Sequence, residues 1–115
     1  MPTQKKHPLV RADLQNAFDW YEDELPGLGG EFCEEFFRSY RKLCRGSLLY
    51  AVRFSNIRRL NLERFPYGIF YTVHENEIRV LAVLHGSRET KSMLSERRRT
   101  FFDRQLFIRN PHRAE

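Results

Sequence analysis

His85, Ser87 and Arg88 stand together at the end of an apolar run, and Arg58, Arg59 and Arg79 precede them on neighbouring β-forming stretches. Side chains of these types can cut RNA without a metal. Such a reaction needs a base for the 2′-hydroxyl, an acid for the leaving oxygen and cations for the charge that gathers on the phosphoryl group. His85 would supply one proton transfer, and Arg88 with Arg58 or Arg59 the positive charge. No second acid/base partner stands out: all five tyrosines lie at or before Tyr71, and the chain after His85 offers only Asp, Glu, Lys and His112. The other reading of the same residues is a binding surface, with Arg58, Arg59, Arg79 and Arg88 facing a target and His85 an ordinary strand-end histidine satisfied by a backbone carbonyl.

Other chemistries find little support. His7, His74, His85 and His112 are scattered, with no HxH, HxxxH or Cys/His cluster, so no metal site is expected. No glycine-rich phosphate loop and no nucleophile motif occurs, and no cofactor is expected. Cys33 and Cys44 lie in one expected helix, about 16 Å apart at the usual rise, beyond disulfide reach. No apolar run approaches a membrane span and the N-terminus is not a leader, which predicts a cytoplasmic protein without a membrane partner. The net charge of +5 is uneven: residues 8–45 hold 5 Lys+Arg against 8 Asp+Glu, and residues 46–115 hold 13 against 7. The basic half suits an acidic partner, whether nucleic acid or an acidic protein segment.

The elements that would position these residues can be read from period. Tyr67, Ile69, Tyr71 and Val73 alternate, Glu75-Asn76-Glu77 interrupts them, and Ile78 to Leu84 follows as a nearly unbroken apolar run. This predicts a β-hairpin of 66–74 and 77–85, the second strand covered on both faces. Residues 57–62 add a strand, which gives a three-stranded antiparallel meander, and residues 4–7 could pair at an edge. Upstream, Val10, Leu14, Ala17, Phe18, Tyr21 and Leu25 mark one amphipathic helix, with Asp13, Asp19, Glu22 and Asp23 as its solvated face. Pro26-Gly27-Leu28-Gly29-Gly30 breaks the chain. A second helix over 29–45 buries Phe32, Phe36, Tyr40 and Leu43, and the two form an antiparallel hairpin. Residues 46–56 read as a connection. Residues 91–104 predict a helix with Met93, Leu94, Phe101 and Phe102 on its apolar side. That tail, Phe107 included, must fold back on the sheet, pair with another subunit or meet a partner. The fold class is therefore α+β: an N-terminal helical hairpin on a small twisted, mainly antiparallel sheet, with a domain over 1–90 and a C-terminal helical extension over 91–115.

Arg58-Arg59-Leu60-Asn61-Leu62, Arg64-Phe65-Pro66-Tyr67-Gly68-Ile69-Phe70-Tyr71 and Val80-Leu81-Ala82-Val83-Leu84-His85-Gly86-Ser87-Arg88 resemble the C-terminal half of the RelE/ParE toxins, ParE-like branch. Ala12-Asp13-Leu14, Ala17 to Glu22 and Pro26 to Gly29 extend the resemblance over roughly residues 5 to 90. It implies the toxin of a type II toxin–antitoxin (plasmid stabilisation) module, neutralised by an antitoxin whose C-terminal segment folds around it. The ParE-like branch poisons DNA gyrase, whereas RelE-like members cut messenger RNA in the ribosomal A site. Arg88 falls where RelE-like enzymes place an arginine, but Gly68 replaces their strand arginine and no tyrosine follows Arg88. These departures favour a DNA gyrase inhibitor acting by binding. The alternatives are a ribosome-dependent endoribonuclease, or an inactive relative kept as a binding module. A homodimer through the tail is a further possibility.

Overall fold

The structure, a computed structural model, describes residues 2–86 and 90–101. Strand β1 (Thr3–Lys6) leads into helix α1 (Val10–Glu24), and α2 (Leu28–Arg45) follows after a tight break. Strands β2 (Val52–Phe54), β3 (Ile57–Asn61), β4 (Tyr67–His74) and β5 (Glu77–His85) come next, then helix α3 (Lys91–Arg99). The sheet order is β1-β5-β4-β3-β2, with β1 parallel to β5 and every other pairing antiparallel. The meander of β3, β4 and β5 is as the alternation predicts, and the N-terminal segment pairs at an edge as expected, over Thr3–Lys6 instead of 4–7.

Each turn has a local cause. Between α1 and α2, Gly27 takes φ 94°, a left-handed conformation that suits glycine. Between β4 and β5, Glu75 and Asn76 both take positive φ, the two-residue geometry that matches strand twist. The expected connection over 46–56 contains one further strand, β2, which pairs with β3 around Ser55-Asn56. Three residues, one of them an arginine, are too few to show a period.

Strand β5 is covered on both faces, and a bulge decides which residue goes where. Phe70 pairs with Ala82 but Tyr71 pairs with Val80, so Leu81 is an extra residue on β5. Ile78, Val80 and Val83 consequently join the core under α1 and α2, with Phe32, Phe36, Leu43, Ile69 and Tyr71. Leu81, Ala82 and Leu84 face the other way, into a second core with Ile57, Phe70, Leu94 and Phe101. The tail helix thus folds back on the sheet through Leu94, which is fully buried. Phe102, Phe107 and the rest of the tail lie outside the described residues.

Two expectations for the helices need correction. Leu25 is 57 % exposed instead of completing the stripe of α1. Asp13 is buried, not solvated: its carboxylate accepts from Val83 N–H at 3.0 Å and pairs with Arg97 of α3 at 2.6 Å. The reason is the short β1. It stops opposite Val80, so the outer edge of β5 beyond it needs other partners, and Asp13 takes Val83 N–H while Arg97 donates to Leu81 C=O. Cys33 and Cys44 are unpaired thiols, as expected, and burial raises the pKa of each.

Candidate functional site

The parity set by the bulge separates the residues singled out for chemistry. His85 ends β5 opposite Tyr67, and its ring meets the Tyr67 ring edge-on at 5.3 Å. Tyr67 in turn packs on Tyr21 and Phe32 of the helical hairpin. His85 therefore belongs to the helical-hairpin side of the sheet, where it lines a cavity of about 230 Å³ with Asp13, Asn16, Trp20 and Tyr67.

Arg58 lies on that side too, but at the far end of the sheet and committed to the backbone. Its guanidinium donates to Tyr50 C=O at 2.7 Å and to Leu48 C=O at 3.4 Å. Beside it, the Tyr71 hydroxyl donates to Ser47 C=O at 2.6 Å, and burial pushes that phenol well above its usual pKa. Together they hold the 46–51 segment against the sheet.

Arg59 and Arg79 project from the opposite face. Arg79 follows the outward parity of β5 and pairs with Glu77 at 2.7 Å. Arg59 lies across the backbones of its neighbours: its guanidinium carbon is 5.0 Å from the centre of the Phe70 ring. A Cβ at Gly68 would collide with Arg59 Nε, and one at Gly86 would meet its terminal nitrogen at 2.9 Å. Two positions without side chains thus make the cradle in which this arginine sits. Burial, and then the charge of Arg53, lower its pKa. Arg88 and Ser87 lie outside the described residues.

Among the described residues, then, the sheet carries His85 on one face and Arg59 and Arg79 on the other. His74, the nearest other histidine in sequence, is at the far end of the β4–β5 hairpin, 3.8 Å from Glu75. No group of three His, Cys, Asp or Glu among the described residues could hold a metal ion. None of the described helices is long and apolar enough to cross a membrane.

Two residues that matter to the architecture, Arg97 and Glu35, do not stand out by type. Arg97 sits in a run of three arginines that reads as solvated surface. Glu35 is buried on α2 and accepts from the backbone N–H groups of Glu63 and Arg64, which fixes the loop before β4. Its place at i+3 from Phe32 and i−1 from Phe36, inside the apolar stripe, was the available clue.

Residues 5–90 match the family described as ParE toxin of type II toxin–antitoxin system, parDE. No curated protein sequence matches the chain. Among solved structures, the chain is similar to one titled "Chromosomal ParDE TA system from P. aeruginosa", with a TM-score of 0.67 and 22 % sequence identity. That match covers 74 % of this chain and 96 % of the other. Helix α3 lies beyond the residues the family match covers, although it closes the second core.

Proposed function

We propose that this chain, which belongs to the ParE toxin family of type II toxin–antitoxin systems, arrests growth in the cytoplasm by binding and poisoning DNA gyrase, and that a cognate antitoxin neutralises it. The observation that supports binding over RNA cleavage is the division of the candidate residues between the two faces of the sheet. A metal-free nuclease must bring proton-transfer groups and cations to one phosphate within hydrogen-bond reach. Here His85 keeps to the Tyr67 side while Arg59 and Arg79 project from the other, and Arg58 is engaged by loop carbonyls. Arg59 and Arg79 suit a surface that recognises a target, and with Arg88 they remain the arginines assigned to it.

The antitoxin has a surface available on the helical hairpin. Trp20, Leu25 and Phe37 of the hairpin are 61 %, 57 % and 48 % exposed and offer apolar side chains to a partner. A segment that folds on binding can cover such residues with an amphipathic helix or a strand.

The test is induced expression in bacteria, scoring chromosome breakage and the DNA damage response against loss of full-length messenger RNA. Broken DNA with intact messages is the expected result. His85→Ala should leave growth arrest within about twofold, because a binding toxin makes no use of proton transfer there. Loss of activity by about 10²–10⁴-fold in a folded variant, with cleaved messages, would overturn the reading.

A further inference from the structure

Arg59 is unusual among the arginines of the sheet because its position is built. Its guanidinium rests beside the Phe70 ring and over the bare backbones of Gly68 and Gly86. Its Nε donates to Asn61 Oδ1, which fixes one edge of the fork and leaves the terminal N–H groups for another acceptor. Among the described residues no carboxylate pairs with Arg59, while Arg53 adds a second positive charge close by. A partly desolvated guanidinium without an anion is a cost to the folded chain that a bound anion would relieve.

The same side of the sheet carries more positive charge. A groove of about 820 Å³ runs between α3 and Phe54, lined by Lys91, Arg98 and Arg99, with Glu96 the one acidic residue among the described residues that line it. Glu96 pairs with Arg99, and Arg98 is anchored to Ser55 and Asn56 of the β2–β3 turn. Cations from β3 and α3, with the partly exposed Phe54 in the groove between them, suit a chain whose charges recur along its own backbone.

We propose that Arg59, cradled over Gly68 and Gly86, binds a phosphodiester of a nucleic-acid backbone that continues along the α3 groove. Its fork offers a phosphate two parallel hydrogen bonds, stronger and better directed than a lysine contact. This goes beyond gyrase as the target, since nucleic acid can be contacted whichever macromolecule is inhibited.

The test is fluorescence anisotropy of the full chain with a labelled 20-residue duplex DNA and a labelled single-stranded RNA of equal length, at 50 and 200 mM salt. Gly68→Ala is the decisive variant, because it keeps every charge and only forces Arg59 out of its cradle. Gly68→Ala and Arg59→Gln should each weaken binding about tenfold, and Arg59→Gln should also flatten the salt dependence by about one phosphate contact. Arg11→Gln, on exposed α1, should change affinity by less than about twofold. Circular dichroism melts show whether Gly68→Ala is folded, and Arg59→Gln carries the test if it is not. Equal losses from Arg59→Gln and Arg11→Gln would mean bulk attraction and overturn the proposal, as would no binding to either nucleic acid, or competition by poly-glutamate as effective as by DNA. Preference for RNA over duplex would keep the phosphodiester site and count against gyrase, so the two readings fail separately.

Discussion

His7 is 2 % exposed, and its hydrogen bonds leave room for one protonation state. Its Nδ1 accepts from Leu9 N–H at 3.1 Å, so the proton belongs on Nε2, which faces Thr100 Oγ1 at 3.3 Å. A second proton on Nδ1 would set two donors against each other. Burial is the larger cause that lowers its pKa, to about 4; Arg97 adds to the shift and Asp13 opposes it. The unfolded chain takes up this proton near pH 6.5 and the folded chain only near 4, so the unfolded state binds more protons in between. The stability that neutral His7 contributes is therefore complete above about pH 6.5 and is lost as the pH falls toward 4. Urea midpoints measured at pH 7.5, 5.5 and 4.5 should fall in that order, and His7→Gln should reduce the fall; an unchanged slope in the variant would assign the titration elsewhere. None of this was legible from residue types, because His7 and its partners Arg97 and Thr100 are far apart along the chain. Asp13 misled for the same reason: helical spacing places it at the margin of the stripe, and only a partner 84 residues away makes it an interior residue.

The helical hairpin turns on two adjacent glycines with opposite requirements. A Cβ at Gly29 would stand 2.7 Å from Phe18 C=O and 2.8 Å from the Phe18 ring, whereas one at Gly30 would meet nothing within 4 Å. Glu22 completes the junction by accepting from Gly27 N–H at 2.9 Å and Gly29 N–H at 3.0 Å. Gly29→Ala should accordingly push α1 from α2 and cost about 1–3 kcal/mol as an overpacked contact. Gly30→Ala should instead stabilise by about 0.5–1 kcal/mol, since alanine is the better helix former where space is free. Thermal melts of the two variants should move in opposite directions, and a joint fall would show that Gly30 meets a constraint of its own. At this scale periodicity served well: both helices, the β4–β5 hairpin and the covered β5 follow from apolar spacing. What it could not reveal was the parity switch. Val80 to Leu84 are all apolar, so a one-residue bulge among them leaves no mark on the pattern, yet it sends Val83 and His85 to one face and Leu84 to the other. Of the candidate site, the four described positions Arg58, Arg59, Arg79 and His85 divide between two surfaces, and it is the bulge that parts His85 from Arg79.

Across the whole molecule, the sheet is a shared wall between two cores, and the Asp13–Arg97 pair ties the elements on either side of it. Its two hydrogen bonds, 2.6 and 3.1 Å, join α1 to α3 past the end of β1, and the side chains are 7 % and 9 % exposed. Removing one partner of such a pair leaves an uncompensated charge in the interior, at a cost of about 3–5 kcal/mol. For a chain of this size that is a large share of the total. Sequence divides the chain at residue 90, where the family match also stops, and suggests a separable extension. The packing argues for one cooperative unit, because Leu94 is buried against the sheet and Arg97 bonds to the β5 backbone. Arg97→Met should therefore shift the urea transitions seen by Trp20 fluorescence and by far-ultraviolet circular dichroism together, lowering stability by about 3–5 kcal/mol. Adding Asp13→Asn should recover part of the loss, since asparagine still accepts from Val83 N–H without stranding a charge. A circular dichroism phase that melts first while Trp20 keeps its midpoint would instead make α3 an appendage that the toxin domain can release.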